Sequence, residues 1–312
     1  MKNYFVAGLL LIFFQSSIAQ ELKYAEEDLK ISQAIEGTLT TPVSKEAESL
    51  VIFIQGSGPT DRNGNQPMMK NDGMRKIAYQ LAENGIASFR FDKRIFKMDE
   101  LKIKEKDLRF DDFVLDVKDI LKYFEEKDKF DNLILAGHSQ GSLVGILASQ
   151  EMADGFISLA GAGQPIDNII VEQVHKMAPP LAENARTAFN EIRETGQTTT
   201  YSPMLESMFK PSIQPFMHSW MKYNPAEEIA KLDIPVLIIN GSEDIQVETK
   251  EAEFLKNASD DAQLVIIENM NHIFRKIESK DRLVNTKSYN EPNQPLHPDL
   301  IPVITEFVKE LE

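Results

Sequence analysis

From residue 50 to 54 every side chain is apolar, a run suited to a strand buried on both faces of a sheet. Further strand-like runs follow at 86–91, 133–136, 156–160, 235–239 and 264–267. Between them the apolar positions change to helical spacing. One helix is predicted around 77–81 and closed by Asn84-Gly85. A second covers 112–126, with Phe113, Val117, Ile120, Leu121 and Phe124 on one face. Others are predicted at 142–150, around 248–256 and at 301–311. Strands alternating with helices, and strands apolar on both sides, predict a mostly parallel sheet flanked by helices. Ahead of this cycle, residues 28–42 predict short strands with a turn near Gly37.

One segment breaks the rhythm. From about 164 to 223 no buried-strand pattern occurs, residues 179–194 read as a helix, and Met177, Met204, Met208, Phe209, Phe216, Met217, Trp220 and Met221 crowd the remainder. This predicts a helical cap inserted into one α/β domain, some of whose side chains pack it down while others line an adaptable apolar pocket. Residues 1–19 read as a cleavable export signal: Lys2 at the start, apolar residues from Phe5 to Phe14, then Ser17-Ile18-Ala19 at the cleavage positions. Ten apolar residues are about half of what a bilayer span needs. The expected mature domain runs from Gln20 to Glu312 and is periplasmic or secreted, with no stable membrane insertion.

Composition narrows the partners. The 312-residue chain carries a formal charge of −15 and no cysteine. Such acidity disfavours nucleic acid and anionic membrane surfaces as partners. Without cysteine neither disulfides nor cysteine lipidation is available.

The sharpest chemical signal is Gly137-His138-Ser139-Gln140-Gly141, between a predicted strand and a predicted helix. A turn of this kind lifts a serine hydroxyl above the sheet, and the free N–H groups of the following helix favour developing negative charge. A serine needs a histidine to take its proton and a carboxylate to hold that histidine. In chain order these are Ser139, Asp244 and His272. Asp244 lies in the loop after the strand 235–239, with Glu243 as its competitor. His272 follows the strand 264–267, whereas His138, His175, His218 and His297 are placed elsewhere. Two N–H groups must meet the oxyanion. They are expected from Gln140 and from Ser57, with Gly58 as alternative. There is no phosphate-loop or HExxH pattern, so neither cofactor nor metal is expected.

At Gly56-Ser57-Gly58-Pro59-Thr60-Asp61-Arg62-Asn63-Gly64, Phe91-Asp92-Lys93-Arg94, the Gly-His-Ser-Gln-Gly turn and Asn271-His272, the chain resembles bacterial α/β-hydrolases of the carboxylesterase and serine-aminopeptidase-like group. Tyr289-Asn290-Glu291-Pro292 and Pro295-Leu296-His297-Pro298 add to the likeness. The resemblance implies the α/β-hydrolase fold and hydrolysis of small acyl esters, with Ser139, Asp244 and His272 in the triad roles. An aminopeptidase acting on small peptides is the alternative, and a catalytically inactive binding protein the third reading. Gln55 stands where many such hydrolases have histidine, and Ile95-Phe96-Lys97 where many have a glycine-rich turn.

Overall fold

A computed structural model describes residues 23–312; the export signal expected over 1–19 lies outside the described residues. Eight strands form one sheet in the order β1-β2-β4-β3-β5-β6-β7-β8. They are β1 Tyr24–Lys30, β2 Glu36–Pro42, β3 Ser49–Ile54, β4 Ala87–Phe91, β5 Asn132–His138, β6 Gly155–Leu159, β7 Val236–Gly241 and β8 Gln263–Ile267. β2 pairs antiparallel with both β1 and β4, and the other five pairings are parallel.

The period of two along each strand explains why both faces are apolar. Leu50, Ile52 and Ile54 enter one core, with Val117, Ile120 and Leu121 of the helix Phe110–Lys127 and Val144 and Ala148 of the helix Gln140–Met152. Val51 and Phe53 enter the other, against Ile77 and Leu81 of the helix Gly73–Glu83 and Ile304 and Phe307 of the helix Leu300–Glu310.

The turn expected near Gly37 is elsewhere. The chain reverses at residues 31–35, and Gly37 pairs with Phe91 inside β2. A Cβ on Gly37 would lie 2.3 Å from the Phe89 ring and 2.6 Å from the Arg90 carbonyl oxygen. The glycine is there for close packing, not for turning.

Residues 164–223 contain the helices Ile166–Met177, Ala182–Thr195 and Gln214–Trp220, and among the described residues no strand. Phe189, Ile192, Phe209, Met217 and Met221 form a separate small core. Of the methionines singled out in this segment, Met177 and Met204 face solvent.

β3 is the switch point of the sheet: the chain leaves it for β4 on one side, and β5 lies on the other. The loops leaving β3 and β5 therefore meet at the strands' carboxyl ends, the position where open α/β sheets carry their sites.

Candidate active site

Two glycines and a strained serine build the turn after β5. Ser139 has φ 53° and ψ −118°, a conformation that costs a non-glycine residue about 1–3 kcal/mol. Its N–H donates to the Leu159 carbonyl at 2.9 Å, and its carbonyl accepts from the Ser142 N–H at 2.9 Å. A Cβ on Gly137 would come within 2.2 Å of the Gly141 carbonyl oxygen, and one on Gly141 within 2.3 Å of the Ile54 carbonyl oxygen. The backbone of β3 thus lies directly against the turn, and neither glycine can be larger.

Asp244 and His272 meet. His272 Nδ1 lies 2.7 Å from Asp244 Oδ2, and both side chains are almost wholly buried. Asp244 Oδ1 accepts from the Gln246 and Val247 N–H groups at 2.8 and 2.9 Å. Glu243 is turned away and pairs with Lys280. Asn271 pins the histidine loop: its Oδ1 accepts from the Arg275 N–H at 2.9 Å, and its Nδ2 donates to Ser288 Oγ at 2.8 Å. His297 accepts from the Asp299 N–H and has no contact with Asp244. Among the described residues no hydrogen bond joins Ser139 Oγ to His272, but both line the same cleft. Such bonds are often long in an unliganded site and tighten with substrate.

His138, beside the nucleophile candidate, donates from Nε2 to the His272 carbonyl at 2.9 Å. Burial, reinforced by His272, lowers its pKa to about 3, so it stays neutral and serves as a fixed donor.

The loop after β3 holds Ser57. Ser57 and Gln140 both line a cavity with Ser139, and among the described residues neither N–H donates to another protein group. The Gly58 N–H is equally free, so satisfaction alone does not choose between Ser57 and Gly58.

Two motifs separated along the chain hold this loop together. Arg62 Nε and Nη2 grip Asp92 Oδ2 at 2.9 and 2.7 Å, while the Arg62 N–H donates to Asp92 Oδ1. Asp61 Oδ1 accepts from the Asn63 and Asn65 N–H groups. Lys93 Nζ donates to the carbonyls of Gly56 and Gly58 and to Gln140 Oε1, at 2.7, 3.2 and 3.1 Å. Arg94 closes the set by pairing with Asp116 and Asp112. Sequence reasoning noted Phe91-Asp92-Lys93-Arg94 only as a likeness, although its placement at the end of a core strand was a usable signal.

Two spaces converge on Ser139. A narrow cleft of about 60 Å³ is lined by His272, Phe274, Tyr289, Met69 and Asn71. A wider one, about 400 Å³, runs under residues 164–223 and is lined by Leu143, Ile166, Ile169, Met208, Met217 and Trp220. Gln246, which sequence reasoning missed, borders both spaces and donates from Nε2 to the Tyr289 hydroxyl at 3.0 Å. Burial, with Asp244 nearby, pushes the Tyr289 phenol above its ordinary range. Among the described residues no group of three or more His, Cys, Asp and Glu side chains is placed to hold a metal.

A serine on a strained strand-to-helix turn, at the switch point of a mostly parallel eight-stranded sheet, defines an α/β-hydrolase fold. Residues 71–276 match the family described as serine aminopeptidase, S33, and the chain belongs to that family. It is 25% identical to Esterase EstD of Thermotoga maritima over 302 residues, covering 88% of this chain and 68% of that protein. In structure it is similar to Est1E from Butyrivibrio proteoclasticus (17% identity, TM-score 0.57, 92% of this chain and 98% of that one). It is also similar to the Pyrococcus furiosus esterase Pf2001 (14% identity, TM-score 0.56, 93% and 91%).

Proposed function

We propose that the protein is a serine ester hydrolase that transfers an acyl group to Ser139 and then to water. His272 takes the serine proton and returns it to the leaving oxygen, Asp244 holds the histidine tautomer, and the Ser57 and Gln140 amides receive the oxyanion. The observation that carries this reading is the strained Ser139 turn in one cleft with the hydrogen-bonded Asp244–His272 pair. The likeness to Esterase EstD supports it.

The two spaces divide the substrate. Of these two spaces, His272 borders the narrow cleft and not the wide one, and Gln140 the wide one and not the narrow. The group that receives a proton must face the histidine, so a small alcohol half occupies the narrow cleft and the acyl half the wide one. Residues 164–223 act as a cap supplying the acyl walls. Each methylene buried there adds up to about 0.8 kcal/mol.

The family's description raises peptidase activity as the alternative. An aminopeptidase must hold a charged ammonium group with an aimed, desolvated carboxylate. Among the described residues no Asp or Glu lines the narrow cleft or the wide space. Glu105 borders a side chamber, where it is taken by Lys210 and Ser212. Short to medium acyl esters are therefore the expected substrates, and aminoacyl anilides poor ones. A panel of p-nitrophenyl acyl esters beside aminoacyl p-nitroanilides tests this, and a higher kcat/KM on the anilides would overturn it. Labelling by a fluorophosphonate separates either enzyme from an inactive binding protein. The leader motif supports export, and the mature N-terminus should be found at or near Gln20.

A further inference from the structure

Lys93 is almost wholly buried and, among the described residues, forms no ion pair, an unusual state for a lysine. Its Nζ meets three acceptors: the carbonyl oxygens of Gly56 and Gly58, and Gln140 Oε1. The Phe113 ring covers it, with its centroid 4.8 Å from Nζ. Three acceptors match the three protons of an ammonium group, whereas a neutral amine has only two protons to give.

The identity of the acceptors matters. Gly56 C=O and Ser57 N–H belong to one trans peptide unit, with oxygen and hydrogen on opposite sides. A donor on the oxygen polarises that unit and strengthens its N–H as a donor. The third acceptor lies on Gln140, whose own N–H is the other free amide beside Ser139.

We propose that protonated Lys93 is a positioning residue for the oxyanion site: it ties the β3 loop to Gln140 and polarises the peptide that presents the Ser57 N–H. The inference rests on the serine-hydrolase reading and adds a pH switch to it. Loss of the Lys93 proton to water leaves one of the three acceptors without a donor and removes the polarising charge.

The surroundings leave this proton poorly held. Burial alone brings the Lys93 pKa down to about 7. From the helix Phe110–Lys127, Asp116 shares a cavity with Lys93 but is paired with Arg94. Glu105 shares the side chamber and is taken by Lys210 and Ser212. In sequence, Asp92 is bound by Arg62 and Arg94 by Asp116 and Asp112. From the loop after β3 and the start of the helix Gln140–Met152, the neutral Gln55 and Gln140 border the same small cavity as Lys93. No described carboxylate reaches Nζ within 4 Å.

Activity and stability then move in opposite directions. The folded protein releases this proton at a lower pH than the unfolded chain, so between the two values the group's contribution to stability rises with pH. Over the same range the oxyanion site weakens.

The experiment measures kcat, KM and thermal unfolding between pH 6 and 9.5 for the wild type, Lys93→Met and Lys93→Arg, using p-nitrophenyl butyrate. A second readout is the rate at which a fluorophosphonate labels Ser139. The wild type should lose roughly tenfold in kcat as pH rises from 7 to 9, less than the 10²–10³ of a deleted oxyanion donor. KM should hold, and Tm should not fall, since the Lys93 contribution to stability rises over this range. Lys93→Met should have a low kcat at pH 6 and no alkaline fall, and Lys93→Arg, always charged, should recover part of kcat with a flat profile. A wild-type kcat that is level to pH 9, or one that falls only together with Tm, would overturn the proposal. If Lys93→Met does not fold, that wild-type comparison decides. Ser139 labelling with the alkaline fall, but no ester turnover, would refute the ester substrate and keep the Lys93 switch. No labelling at any pH would refute both.

Discussion

Replacing Asp244 by asparagine tests the site at the level of single protons. Asp244 Oδ1 accepts two backbone N–H groups, from Gln246 and Val247, at 2.8 and 2.9 Å. An amide nitrogen cannot accept either, so the asparagine oxygen must take that position. The NH₂ group is then forced to face His272 Nδ1, 2.7 Å away in the wild type. Two donors cannot face each other, so Nδ1 must give up its hydrogen and Nε2 must carry one. A histidine protonated at Nε2 cannot accept the Ser139 proton. A wrong tautomer in an otherwise intact triad costs about 10⁴ in kcat, or about 5 kcal/mol of transition-state stabilisation. The backbone contacts survive, so the fold should too. Glu243→Gln is the matched control, because Glu243 pairs with an exposed lysine, and such pairs contribute about 0–1 kcal/mol. Its kcat should stay within a few-fold of wild type. The assay is kcat on p-nitrophenyl butyrate, with thermal unfolding of each variant. A folded Asp244→Asn enzyme within tenfold of wild type would refute the tautomer argument and, with it, the role of Asp244.

Ser139→Ala should remove about 10⁶ in turnover with an unchanged circular dichroism spectrum, and a folded variant that keeps more than about one part in 10⁴ of wild-type ester cleavage would refute Ser139 as the nucleophile. Gly141→Ala drives a Cβ to 2.3 Å from the Ile54 carbonyl oxygen and 2.8 Å from that of Gln55. Overpacking against backbone costs about 1–3 kcal/mol and should displace the strand end leading into the Ser57 loop, so Tm and kcat fall together; unchanged values would contradict the packing. Arg62→Met removes a charge-assisted pair with Asp92 worth roughly 1.5–3 kcal/mol, and the double variant with Asp92→Asn should lose less than the sum of the singles. Strict additivity would show that the two residues do not act through each other.

How much of this was legible depended on whether a feature leaves a trace along the chain. The core strands did, because their alternate residues feed two separate cores and so every position is apolar, as in Leu50 to Ile54. The Ser139 turn did as well, since backbone contacts of 2.2–2.3 Å would forbid any side chain at Gly137 and Gly141. Gly37 misled for the same reason: a glycine forced by a neighbouring strand has no local signature that separates it from a glycine in a turn. The helix Ile166–Met177 is legible too, because Ile166, Ile169, Ile170 and Val174 recur at helical spacing. Lys93 is the opposite case. Its partners stand 37, 35 and 47 residues away, and acceptors drawn from the loop after β3 and from the start of the helix Gln140–Met152 have no common period. The sequence likeness flagged Lys93 beside Asp92 and Arg94 without saying that the flanking charges are neutralised and the middle one is not. That difference decides the chemistry, because a paired charge fixes a loop at every pH, whereas an unpaired buried one fixes it only while the proton stays.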